Sequence, residues 1–261
     1  MEETDPSLVM TPGEQEVTHP EPGFMGKLIL LFSNPSQLFE SLKRKSSWLL
    51  PPILLILISV IISLIVQPHI MQSVRQETIT FLSSIPNLPD GTIEKTNEQF
   101  ENAAKGGFAK NLLTGLLGGF FLRAVLFFMV VTIIFLAGTL FFGGTAKYIK
   151  VMSMYAWVLP IWVLGLLFDA PLMIIKEAHG ISLSPAVLVT PDITNPLFFL
   201  LRNFNLFTIW AVIILGIGFS VIYGISRGKG IAVMLAVWCI WIVINSFIPY
   251  FNFYAYMTGL T

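Results

Sequence analysis

Five apolar runs, each about 20 residues long, decide what this chain can become. They occupy residues 48–66, 122–143, 152–175, 206–226 and 231–250. In lipid a backbone must satisfy its own hydrogen bonds, which leaves helices and closed barrels as the spanning forms. A barrel strand alternates polar and apolar side chains over about 10 residues. These runs are continuously apolar, so the expected fold is all-α: a polytopic membrane protein with five transmembrane helices. Only 11% of the 261 residues are charged and 55% are apolar, whereas soluble proteins carry roughly 25% charge. The formal net charge is zero, which argues against nucleic acid as a partner. The lone cysteine, Cys239, excludes an internal disulfide or a cysteine metal cage and is expected to be a small buried apolar residue.

The first 23 residues read differently. They hold Glu2, Glu3, Asp5, Glu14, Glu16 and Glu21, four prolines and no Lys or Arg. They lack the basic start of a secretory signal and are expected to form a disordered acidic tail. Residues 24–47 are expected to be an interfacial amphipathic segment. Within it, Asn34 and Pro35 suit the N-cap and first position of a helix. Leu38, Phe39 and Leu42 then share one side, and Lys43, Arg44 and Lys45 close the end. An apolar stripe beside basic residues suggests contact with an anionic leaflet. Residues 48–261 make the five-helix domain. Residues 67–111 form an extracytoplasmic insert, read as a helical hairpin: an extension of the first helix, a turn-rich stretch 85–91, and a polar helix 92–105 with Ile93 and Phe100 as docking points. A further short helix is expected near 196–202.

Basic residues set the orientation. Lys27 and Lys43–Lys45 precede the first span, Lys147 and Lys150 lie in the short second connection, and Arg227 and Lys229 in the short fourth. Short basic loops stay cytoplasmic, so the N-terminus is expected inside and the C-terminus outside. Aromatics from Tyr250 to Tyr256 fit an interface belt on the outer side.

Charge inside a membrane is costly and points to function by default. Arg123 and Asp169 are the two such residues, at similar height on neighbouring spans. They are candidates for an interhelical ion pair, or each snorkels separately to headgroups. Gly216, Ser220, Gly224 and Gly228 repeat every four residues, as do Gly115 and Gly119; small residues at this spacing let helices or partners approach closely. Pro160 and Pro171 are expected to kink the third span. Asn245 offers an interhelical hydrogen bond. Catalytic signatures are missing: there is no His-Glu-x-x-His, no Gly-x-Ser-x-Gly and no true phosphate loop. Residues 224–230 lack the first glycine and the Ser or Thr that such a loop needs. His19, His69 and His179 have no metal-ligand spacing. Neither catalysis nor a metal or other cofactor is expected.

Three ordered stretches carry a family resemblance. Phe32-Ser33-Asn34-Pro35 through Leu38-Phe39, then basic residues and Pro51-Pro52, form the first. Gly143-Gly144, Ile149-Lys150-Val151 and Trp157-Val158-Leu159-Pro160 form the second. Leu206 to Trp210, Gly216-Ile217-Gly218 and Ser226 to Gly230 form the third. In this order they resemble YIP-type integral membrane domains over about residues 24–248, with a long insert like that of bacterial members. The resemblance implies five membrane helices and a habit of binding other membrane proteins; eukaryotic relatives interact with Rab GTPases. The expectation is a non-enzymatic adaptor in a bacterial cytoplasmic membrane, in contact with lipids and with a partner membrane protein or a second copy of itself. The partner would be an exporter or an envelope-assembly complex. The alternatives are a small transporter or channel using Pro160, Asp169 and Arg123, and a lipid-handling protein.

Overall fold

A computed structural model of the chain describes residues 21–83, 88–105, 108–178, 181–189 and 196–247. Nine α-helices and no strand occur among them: α1 (Phe24–Ser33), α2 (Pro35–Arg44), α3 (Leu50–Ser83), α4 (Thr92–Lys105), α5 (Phe108–Phe142), α6 (Tyr148–Lys176), α7 (Pro196–Asn203), α8 (Leu206–Tyr223) and α9 (Arg227–Phe247). A 3-10 turn, Pro185–Leu188, precedes α7. Five helices, α3, α5, α6, α8 and α9, are long and apolar enough to cross a membrane. The protein is a multi-pass membrane protein. The acidic tail to residue 20, the aromatics from Tyr250 onward, His19 and His179 lie outside the described residues.

The core forms around α6 and α8. Trp157, Phe39, Phe219, Met154 and Ile161 are among its largest buried side chains. α8 also packs closely along α9, and α6 along α3, while α5 sits more sparsely against α3, α6 and α8. The 34 residues of α3 span about 51 Å at 1.5 Å per residue, well beyond a hydrocarbon core of roughly 30 Å. The helix is continuous through Pro68. Its far end is braced by α4: Arg75 Nε donates to Asn97 Oδ1 at 2.9 Å and the same guanidinium lies 3.8 Å from Glu101. We call this the insert end of the bundle; α1 and α2 lie at the opposite, basic end.

The basic end departs from the sequence expectation. Asn34 does cap α2, accepting from the Gln37 backbone N–H at 3.2 Å. Leu38, Phe39 and Leu42 are fully buried, but protein covers them. Phe39 reaches the backbone of Gly218, where an added Cβ would lie 2.9 Å from its ring. The α2 stripe is therefore core, because α8 offers it a glycine-lined surface. α1 shows the apolar face instead: Met25, Ile29 and Phe32 are exposed while Lys27 is buried.

Candidate functional site

The sparse packing of α5 leaves a cleft of about 1560 Å³ bounded by α3, α5, α6, α8 and α9, with α4 over its insert end. Its walls are mostly apolar. Trp48, Phe127, Tyr155 and Trp162 form an aromatic wall towards the basic end: Phe127 lies 5.3 Å from Tyr155 and Trp48 stacks on Phe127 at 6.2 Å between centroids. Gln67, Arg123, Asp169, Asn203 and Asn205 line the cleft from the stretches nearer the insert end, and Ser59 and Ser63 line it further along α3 towards the basic end. Counting from the short 143–147 connection that joins α5 to α6, Arg123 stands about 28 Å and Asp169 about 31 Å along the axes. Both line the cleft.

The two do not pair. The Asp169 carboxylate accepts from the Leu183 backbone N–H at 2.8 Å and from Asn205 Nδ2 at 3.3 Å, and it feels the charge of Arg202. Asn205 in turn caps α8, its Oδ1 accepting from Phe207 N at 2.8 Å and Thr208 N at 3.4 Å. Leu206 N donates back to the Leu183 carbonyl at 3.3 Å. Asp169 is thus a tie between α6, the 181–189 connection and the start of α8. Asn205 carries a readable signal, a capping residue immediately before an apolar run; the long-range partner on α6 leaves no local trace. Arg123 makes no hydrogen bond or ion pair among the described residues.

The small-residue row divides in function. A Cβ on Gly216 would sit 2.5 Å from Ile231 Cα, and one on Gly230 would meet the Gly216 carbonyl and lie 2.8 Å from Ser220 Cβ. Gly216, Ser220 and Gly230 therefore make the close α8–α9 contact. Gly224 ends α8 in the left-handed region, φ +67°, with the Ile225 N–H returning to the Ser220 carbonyl at 3.0 Å. Gly228 faces open space. The surroundings of Gly115, Gly119 and Asn245 lie outside the described residues. Another pair went unread in the sequence: the Tyr223 ring occupies the space where side chains on Gly138 and Gly144 would go, and its hydroxyl donates to the Phe135 carbonyl at 3.2 Å. α6 continues through Pro160 and Pro171.

The basic residues are also partly engaged. Lys43 Nζ donates to the Val221 carbonyl at 2.9 Å, near the C-terminal end of α8, where a cation is favoured. With Lys147, Lys150, Tyr223 and Gly224 it lines a hollow of about 350 Å³. Lys45 lies 3.4 Å from Glu21 and is largely exposed, and Arg44 is exposed. Lys27 Nζ donates to Ser47 Oγ at 2.8 Å and lies 5.7 Å from the Trp157 ring, within cation–π range. Burial lowers its pKa; Glu21 opposes that shift and Lys45 adds to it. Trp157 Nε1 donates to the Ser47 carbonyl at 2.7 Å, so the α2–α3 connection is pinned to α6. Cys239 is exposed on α9 rather than buried. His69 is exposed on α3. Among the described residues, no group of three or more His, Cys, Asp or Glu side chains could hold a metal ion.

No match is found among curated proteins or solved structures. The family model for the Yip1 domain matches residues 29–248, a stretch that runs from α1 to just beyond α9 and takes in the Asp169 tie, the α8–α9 glycine contact and the whole cleft. The chain belongs to the Yip1 domain family.

Proposed function

We propose that this protein is a non-enzymatic membrane adaptor that holds a partner membrane protein through its insert end. The observation carrying this reading is the braced projection there. α3 and α5, at 34 and 35 residues, each exceed the bilayer core by about 20 Å. Arg75 fastens α4 to the projecting part of α3 through Asn97 and Glu101. A stiff polar layer held clear of the membrane suits docking, because little ordering remains to be done on binding. The long insert, like that of bacterial members, favours a bacterial cytoplasmic membrane, and the basic connections favour an N-terminus inside; on that reading this layer is extracytoplasmic. Transport is the weaker reading. Polar groups line the cleft near the insert end, and an ion moving on between aromatic and aliphatic walls would meet a steep cost.

A photo-cross-linking residue at Glu98, exposed on α4, tests the adaptor role. A discrete adduct with another membrane protein, weakened several-fold by Arg75→Ala, is expected. Absence of any adduct from Glu98 or Glu94, together with a lone chain in every mild detergent, would overturn it. Labelling of single cysteines placed at the two ends, in a Cys239→Ser background, tests the orientation; both ends on one side would refute it.

A further inference from the structure

We propose that the cleft is a binding site for one membrane phospholipid, with its phosphate on Arg123 and its acyl chains along α5. The proposal stands apart from the adaptor reading. Arg123 is a permanent cation at the polar end of a mostly apolar groove, and it makes no hydrogen bond or ion pair with any described group of the protein. The acid at similar height, Asp169, is already engaged by Leu183 and Asn205. An unpaired guanidinium at this depth calls for an anion, and its planar fork matches phosphate oxygens.

The wall beside Arg123 identifies what the anion is attached to. From Ala124 to Ile134 every α5 residue lining the cleft is apolar, a length of about 16 Å. That equals about half of a roughly 30 Å hydrocarbon core, the depth of one leaflet. Facing it on α3, Ser59 turns its hydroxyl back to the Leu55 carbonyl at 2.6 Å, and Ser63 and Gln67 are the other polar residues among the otherwise apolar lining of that helix up to Val74. A cation at the head of a leaflet-deep apolar slot fits a phosphate ester carrying acyl chains. A soluble anion has no use for the slot, and an uncharged apolar helix has no use for the cation.

Four tryptophans, Trp48, Trp162, Trp238 and Trp241, line the cleft and report occupancy. The delipidated full chain in detergent is titrated with phosphatidylglycerol brominated on its acyl chains, and with the equally brominated diacylglycerol, which lacks phosphate. Saturable quenching by the phospholipid is expected at a concentration at least tenfold below that needed for the diacylglycerol. Arg123→Gln should abolish this preference, and Arg123→Lys should retain part of it. Ala124→Trp, which keeps the cation but fills the slot, should weaken both lipids. Arg227→Gln, at the basic end where Arg227 donates to Ser36, should behave as the unmodified chain. If Arg123→Gln does not fold, the phosphate preference of the unmodified chain and the weakening of both lipids in Ala124→Trp decide the matter. Equal quenching by the two lipids, insensitivity to Ala124→Trp, or a protein helix recovered in the cleft in place of lipid would overturn the proposal.

Discussion

Asn205 serves two helices at once: its carbonyl oxygen caps α8 through Phe207 and Thr208, while its amide nitrogen donates to Asp169 on α6 at 3.3 Å. One side chain thus sets where α8 begins and how it stands against α6. The Leu183 N–H, at 2.8 Å from the same carboxylate, adds the intervening connection to the tie.

Asp169→Ala and Asn205→Ala should each lower the unfolding temperature in detergent, and the double variant should lose clearly less than the sum. Groups sharing a hydrogen bond couple by about 0.5–3 kcal/mol. Asn205→Ala should be the costlier of the two, since it also removes a cap worth about 0.5–2 kcal/mol. Arg123→Gln combined with Asp169→Ala should be additive within about 0.5 kcal/mol. Strong coupling in that second pair would show a direct Arg123–Asp169 interaction.

The α8–α9 seam predicts opposite outcomes for neighbouring glycines. Gly216→Ala puts a methyl against the Ile231 backbone, which cannot move aside as a side chain would. A loss of about 1–3 kcal/mol is expected. Gly228→Ala meets nothing and lies in α9, so it should be neutral or stabilise by up to about 1 kcal/mol. Thermal unfolding of the two variants in the same detergent checks the contrast.

Lys43→Met should destabilise, whereas Arg44→Gln and Lys45→Gln should not. Lys43 satisfies the Val221 carbonyl near a helix C-terminus, worth about 0.3–1 kcal/mol as charge alone, with the hydrogen bond in addition. Its neighbours are exposed. Equal losses from all three, scaling with anionic lipid content, would return Lys43 to a headgroup role.

Lys27 predicts a pH effect. Burial lowers its folded pKa below the usual 10.5, so in the window between the two values the unfolded chain binds more protons and stability rises with pH. Below the folded value the full penalty is present; above 10.5 it is gone. Unfolding midpoints measured upward towards pH 10.5 should climb more steeply in the unmodified protein than in Lys27→Met. Identical slopes would show that Lys27 is as well solvated in the fold as outside it.

Much of this architecture was legible in the chain. The five spans, the Asn34 cap, the polar α4 and the short helix at 196–203 follow from run length, capping residues and prolines, which act within a few residues of themselves. α2 shows the limit. Its stripe of Leu38, Phe39 and Leu42 has the same spacing whether lipid or protein covers it, and only the bare Gly218 surface of α8 decided between them. The Asp169 tie shows it again, because a carboxylate in an apolar run has no local mark that says which distant donor will reach it. Likewise the four-residue glycine row is uniform in sequence, yet Gly216 packs, Gly224 turns the chain and Gly228 does nothing.

The sequence by itself determined that this protein spans a membrane as helices, since no other form lets such apolar runs satisfy their backbones there. Tertiary structure alone decided that α5 stands off from α6 and α8 to open a cleft, and that Arg123 lines it with no hydrogen bond or ion pair among the described residues. Helix formation depends on neighbours along the chain; the gaps between helices depend on how side chains from distant segments fill shared space.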